Sequence, residues 1–381
     1  MERITTVNPQ RVAWCCADLG LSLKQVAAEA GLAPDKLQAV LDNDGALTFA
    51  QLRGLAEYFG RSVLFFLDPN PVDAERVHSP QFRTLAGQKP DLSRRVRHLV
   101  QRAERQRAVY QDLLDDLEGA NRPRFDPPRL PADPAAAARL AREWLVLGAV
   151  NTFDGYRTAV EDKGVLVFRS NGYAGKWQIA KESPILGFAL YDAVMPVIVV
   201  KKQDAQARQT FTLMHELGHV LLHRTSSVDD EADLRATQGM EHEANQFAAH
   251  LLVPDAFLAA LRDNECPADA AQLDEWLKPQ RMAWGVSADV ILLRLVGAGR
   301  LPQAVYEAHR AWRLQQPRPQ GEGGSRGYRY REPRHMFGDR FVRTVLGALG
   351  ARHITLSKAS DYLDGLKVAD LHKLERFYAG A

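Results

Sequence analysis

Three residues able to do metal chemistry stand within one short run of this chain, Phe211–Thr212–Leu213–Met214–His215–Glu216–Leu217–Gly218–His219. On a helix, residues four apart lie one turn apart on the same face, so the imidazoles of His215 and His219 point the same way. Both can then reach one ion at about 2.0–2.1 Å. Glu216 stands beside the first histidine. It is placed to take a proton from water activated at the ion and to pass it to a leaving amine. Imidazole ligands favour zinc, with manganese or another divalent ion as the alternative.

A catalytic zinc takes three protein ligands and keeps one position open, so a further ligand must come from elsewhere. The run EHEANQFAAHLLVP offers Glu241 and Glu243. Ala244, Phe247, Ala248, Leu251 and Leu252 form an apolar helical stripe. Glu243 borders that stripe, whereas Glu241 lies roughly 200° around the helix from it. Glu243 is therefore the expected third ligand. Gly218 lets another element pack closely beside the metal. His223, one turn beyond His219, and His250, two turns beyond Glu243, are candidates to hydrogen-bond a ligand from behind, against the commoner role of a packed or surface histidine. Cys266 could occupy the open zinc position as a thiolate, although a buried inert cysteine is the commoner case. Tyr173 and Tyr191 could donate to an oxyanion, but core or surface tyrosines are the default and neither is taken as catalytic.

These groups need a scaffold. The runs at 164–168, 185–190 and 196–201 are short, apolar or β-branched and bounded by turn residues, which predicts strands. Helical spacing is expected over about 91–118, 134–147, 209–223, 238–253 and much of 254–315. The five prolines between 121 and 134 mark a boundary. Residues 316–332, rich in Gly and Arg, read as a flexible linker. The expected organisation is an all-helical domain at 1–70, a linker and long basic helix at 71–127, a metallopeptidase-like domain at 128–315, the linker at 316–332, and a small helical segment at 333–381. The expected fold class is α+β, a small sheet with the zinc helix packed against it.

Within the first domain, LSLKQVAAEAGLAPDKLQAVLDN reads as helix, glycine turn and helix, and Thr48 opens a further helix. The second of these helices would present Lys36, Gln38 and Asn43 to DNA. Yet residues 1–60 hold five basic and seven acidic side chains, and affinity for DNA rests mainly on neutralising phosphates. The competing reading is a dimerisation or partner-binding module. The nine Arg and Lys between 76 and 110, against two acids, could supply the missing charge.

RQTFTLMHELGHVLLH followed by EHEANQFAAHLLVP resembles the ImmA/IrrE metallopeptidases over about residues 128–315. LSLKQVAAEAGLAPDKL resembles Xre-type helix-turn-helix regulators. The resemblance implies one zinc per chain on His215, His219 and Glu243, with Glu216 as acid/base. It implies a peptidase that cleaves a regulatory protein, or a DNA-binding antitoxin that neutralises a toxin encoded next door. A protein substrate or toxin, operator DNA and a second copy of the chain are the partners expected.

The bulk numbers agree with a globular protein: 381 residues, 46% hydrophobic, 25% charged and a net charge of +2. Three cysteines make no disulfide framework and fit a reducing compartment. The first residues lack a signal pattern and no apolar run is long enough to span a bilayer, so the expected location is the cytoplasm, without a membrane partner.

Overall fold

The computed structural model describes residues 3–19, 21–73, 85, 87–89, 92–117, 123–171, 175–203, 205–316 and 326–380. It divides into two compact units, Met1–Arg83 and Thr84–Ala381.

The first unit holds helices α1 (Pro9–Asp18), α2 (Leu23–Ala30), α3 (Pro34–Leu41), α4 (Phe49–Phe59) and α5 (Val63–Leu67), with a two-residue antiparallel pairing of β1 (Arg3–Ile4) and β2 (Leu47–Thr48). Local chemistry sets these boundaries. Ser22 with Gln25, and Thr48 with Gln51, form reciprocal caps that satisfy the exposed amides at the starts of α2 and α4. Gly31 and Gly60 end those helices at φ 68° and 66°, a left-handed conformation that costs glycine little. The helices close around Val12, Val26, Leu37, Leu52, Leu55 and Phe66.

The second unit includes the long helix α6 (Arg94–Leu117), then α7 (Pro134–Trp144) and α8 (Phe153–Glu161). Strands β3 (Leu166–Arg169), β4 (Ile185–Leu190), β5 (Val197–Val200) and β6 (Ser227–Asp230) then form one sheet in the order β3-β5-β4-β6. β3 and β5 are parallel, and β4 runs antiparallel to both of its neighbours. Every residue of β3, β4 and β5 is buried, as in a sheet covered on both faces. Alternation along β3 shows the two covers. Val167 joins the core of Ile198, Val200, Leu213 and Leu217, while Phe168 meets the rings of Trp177, Phe337 and Phe341.

Helix α9 (Gln206–Gly218) supplies Leu213 and Leu217 and runs on as a π-helical turn, His219–His223. α10 (Gly239–Leu252) packs across it. Gly218 makes that approach close: a Cβ there would lie 3.2 Å from Phe247 and 3.3 Å from the Ala244 backbone. Beyond it lie α11 (Asp255–Ala259), α12 (Leu273–Trp276), α13 (Lys278–Trp284), α14 (Ala288–Gly297) and α15 (Gln303–Gln315). Of the expected organisation, the small sheet and the paired helices 206–218 and 239–252 are present; β6 was not anticipated.

The C-terminal residues differ from the expectation. Residues 317–325 of the expected linker lie outside the described residues. Its last part is ordered, Arg326–Arg331 being a 3-10 helix and Glu332 opening α16 (Glu332–Gly350). α16, α17 (Leu356–Tyr362) and α18 (Val368–Ala379) belong to the same unit as the sheet. Phe337 and Phe341 are fully buried against Phe168. The Arg157 guanidinium, from α8, donates to the carbonyls of Val167, His335 and Met336 and pairs with Glu161 at 3.0 Å. α16 breaks at Gly338, where φ is 85° and a Cβ would stand 2.5 Å from Glu161 Oε1. The physical reason is packing: two phenylalanines and the His335 and Met336 carbonyls tie this segment down whatever the composition of the residues before it.

Residues 333–381 should therefore contribute to the stability of the sheet. Phe337→Ala should cost about 3–5 kcal/mol, as for other buried aromatic truncations, read from denaturant unfolding of the full chain by a probe on the sheet. Gly338→Ala should also destabilise, because the backbone there is left-handed and the added methyl has no room. A cost under about 1 kcal/mol for both would mean that the segment is only loosely attached.

Candidate metal centre

α9 and its π-turn carry a row of histidines, His215, His219 and His223, spaced four apart. Their rings follow one another with centroids 4.9 and 5.0 Å apart. His215 Nε2 and His219 Nε2 stand 3.2 Å apart in the buried interior. Two further side chains converge on the same point. Glu241 Oε2, from the first turn of α10, lies 3.2 Å from His215 Nε2 and 3.3 Å from His219 Nε2. Asp229 Oδ2, from β6, lies at 3.5 and 3.7 Å. One donor atom from each of the four residues falls within 4.8 Å of the others.

These residues suit a divalent cation on the chemistry of the donors. Among the described residues, both carboxylate oxygens of Asp229 are buried without a hydrogen-bond partner, and so is His215 Nδ1. An unpartnered buried carboxylate is costly unless a cation offsets it. The electrostatics show the same demand in another form. Burial by itself depresses His215, but the Asp229 and Glu241 carboxylates that face it outweigh this and raise the imidazole to about 9. For Glu241, burial pushes upward, yet the hydrogen bonds from His215 and His219 win and hold the carboxyl far below its usual range. A cation at the same place would serve both carboxylates and leave each imidazole its lone pair.

Glu216 lies beside Asp229 but is not one of the four gathered donors. It is fully buried, and its Oε2 accepts from Ser227 Oγ at 3.0 Å. Its Oε1 has no hydrogen-bond partner among the described residues. Burial first, and then the charge of Asp229, raise this carboxyl well above the ordinary range. Gly187 on β4 leaves it room: a Cβ there would stand 2.6 Å from Glu216 Oε1 and 2.8 Å from the Thr212 methyl. Ser227 and Asp229 are two apart on β6 and so share a face, which is why one short strand serves both Glu216 and the histidines.

The expected third ligand is placed differently. Glu243 is half exposed, and its Oε2 lies 3.0 Å from His223 Nε2, not beside His215 and His219. Glu241 takes the position expected of it. Asp229, Ser227 and Gly187 were not singled out from the sequence. His250 stands apart from the centre, 3.1 Å from the Arg294 guanidinium, and Cys266 is not among the gathered donors. Tyr173 lies outside the described residues, and Tyr191 meets this region through its backbone amide, which donates to Ser226 Oγ at 3.0 Å. In the first unit, Lys36 Nζ donates to Gln51 at 2.8 Å and Gln38 donates to Asp42 at 3.0 Å, while Asn43 stands exposed just past α3 with φ 61°. Among the described residues, no helix is long and apolar enough to cross a membrane.

Comparison with known proteins places this geometry in a family context. Residues 160–295, which include the whole centre, match the family model of the IrrE N-terminal-like domain, Peptidase_M78. The chain is also 36% identical over 95 residues to an uncharacterized immunity region protein 2 of Bacillus phage phi105, a stretch that covers 24% of this chain. The chain spans 59% of that relative's length. No solved structure matches.

Metal analysis separates the two glutamates. Glu241→Ala should weaken zinc binding more than Glu243→Ala, and His215→Ala with His219→Ala should remove it. Competition with a chelator reads the affinities. A larger loss in Glu243→Ala than in Glu241→Ala would contradict the arrangement in the structure.

Proposed function

We propose that the second unit is a zinc-dependent metallopeptidase acting on a regulatory protein. The observation that carries this reading is the division of labour among buried groups: two imidazoles and two carboxylates converge on one point while Glu216 is held apart by Ser227. His215, His219 and Glu241 would hold the zinc, with Asp229 as a further carboxylate within reach. Zinc supplies Lewis-acid polarisation of a carbonyl and lowers the pKa of water. Glu216 takes the proton of the attacking water and delivers it to the leaving amine. A carboxyl raised by burial suits that work, because its greater basicity favours taking a proton from water. Ser227 fixes one of its oxygens and leaves the other available. The match to Peptidase_M78 supports the reaction class. The phage relative's name, which places it in an immunity region, supports a regulatory partner.

The first unit supports a DNA-binding module in the same reading. Helix, left-handed glycine turn and helix, over Leu23–Ala30 and Pro34–Leu41, have the order of a helix-turn-helix. Lys36 and Gln38 are engaged within the domain, so contacts to bases would require them to exchange Gln51 and Asp42 for DNA. Binding to an operator should then weaken steeply with salt as counterions are released, and Lys36→Ala should weaken it further. Titration of labelled promoter DNA at several salt concentrations measures this; an absent or salt-insensitive interaction would leave the unit as a protein-binding module.

Glu216→Gln decides between cutting and clasping. The variant should keep its zinc and its fold, since Glu216 is no ligand and Gln still accepts from Ser227. Cleavage of the partner protein should fall by about 10²–10⁴ in rate, the usual contribution of a general base. The assay is integrity of the proteins encoded beside this chain, incubated with wild type and variant. A partner that stays uncut by wild type, yet is neutralised equally by both proteins, would replace the peptidase reading with that of a non-proteolytic antitoxin.

A further inference from the structure

His219 is held from behind by a directed chain of hydrogen bonds. Its Nδ1 lies 3.0 Å from His223 Nδ1, and His223 Nε2 lies 3.0 Å from Glu243 Oε2. The His223 side chain is almost fully buried, and Glu243 is half exposed at the end of the row. An acceptor must face each donor, so the two Nδ1 atoms carry one proton between them. His219 Nε2 faces the centre, and a metal there needs its lone pair. The His219 proton then stands on Nδ1 and is donated to His223. That assigns the His223 proton to Nε2, from which it is donated to the Glu243 carboxylate. Only one arrangement satisfies all three groups at once.

The support is asymmetric. His215 Nδ1 is buried with no hydrogen-bond partner among the described residues, so only the ring of His219 is oriented in this way. The π-helical turn at His219–His223 is part of the device, since it continues the histidine row past the last α-helical residue. Single π-turns of this kind are otherwise rare and recur at functional sites.

We propose that His223 and Glu243 are positioning residues that hold the His219 ring from behind. This rests on the zinc reading above, since a metal at Nε2 is what leaves the His219 proton to Nδ1. Glu243, expected from the sequence as a ligand, would thus act on the metal from two residues away, through His223 and His219.

Two measurements on the full chain test it. The first is the hydrogen bonding of the His219 Nδ1 proton in zinc-loaded protein, read from its solvent exchange in selectively ¹⁵N-labelled histidine. Wild type should show that proton protected, His223→Leu should lose the protection, and His223→Asn should restore it, because the Asn carbonyl takes the place of the His223 acceptor. The second is zinc affinity by chelator competition. His223→Leu should bind zinc about ten- to a hundred-fold more weakly, with His223→Asn within a few-fold of wild type. Glu243→Gln, which keeps an acceptor, should be milder than Glu243→Ala. A His219 Nδ1 proton as well protected in His223→Leu as in wild type overturns the proposal, and so does unchanged zinc affinity in that variant. Failure of wild type to take up zinc would instead overturn the metallopeptidase reading on which the proposal rests.

Discussion

Asp229, Glu216 and Glu241 bring three carboxylates around two buried imidazoles, and water is excluded from most of this space. Removing a carboxylate from water costs several kcal/mol unless charge or hydrogen bonds replace the lost hydration. Ser227 supplies one such bond to Glu216, and the two histidines face Glu241. For Asp229, hydrogen bonding supplies nothing. The need for positive charge at one point is therefore the constraint that the surrounding elements answer. β6 exists to present Ser227 and Asp229 on one face, α10 begins where it can offer Glu241, and α9 presents the imidazoles. Gly218 permits the α9–α10 approach on which the Glu241 distances depend.

The sequence revealed the histidine pair because helical spacing is a local property. Four residues make about one turn in any helix, and the apolar positions around His215 independently required a helix there. The strands at 185–190 and near 164–169 and 196–201 were legible for a similar reason: a sheet covered on both faces must be apolar throughout. Asp229 was not legible. SVDD is a short, polar run whose buried residues include Ser227 and Asp229, and it resembles a loop until the centre that it serves is known. Gly187 was hidden as well, since its reason is a clash with a glutamate some thirty residues away in sequence.

The choice between Glu241 and Glu243 shows where periodicity stops. The argument from the α10 stripe gives the direction in which a side chain leaves the helix, but not which partner waits there. α9 and its π-turn present three histidines over nine residues, about 12 Å at the α-helical rise. That row is long enough for two glutamates leaving α10 in different directions both to meet it. Glu241 meets the first two histidines and Glu243 meets the third. The π-turn carries the row to His223, and its presence could not be read from helical spacing. Tertiary partners likewise decided the C-terminal segment. Gly and Arg between 316 and 332 report only on local solvation, whereas Phe337, Phe341 and the carbonyls that meet Arg157 bind the following helix to the sheet.

The same energetics bear on whether this is a working centre or an inherited fold. Glu216 is fully buried, is raised by that burial, and leaves one oxygen without a partner. An unsatisfied buried polar group costs about 1–3 kcal/mol, so a domain that only clasped a partner would be more stable with an apolar residue of similar size there. Gly187 adds to the cost, because a glycine inside a strand sacrifices backbone entropy and packing, and here it leaves space for the Glu216 oxygen. Two adjoining positions thus give up stability for a carboxyl that is sealed from the surface. The proposed proton transfer beside a cation would account for both sacrifices together. A clasping surface explains neither, since nothing about Glu216 is exposed for a partner to grip.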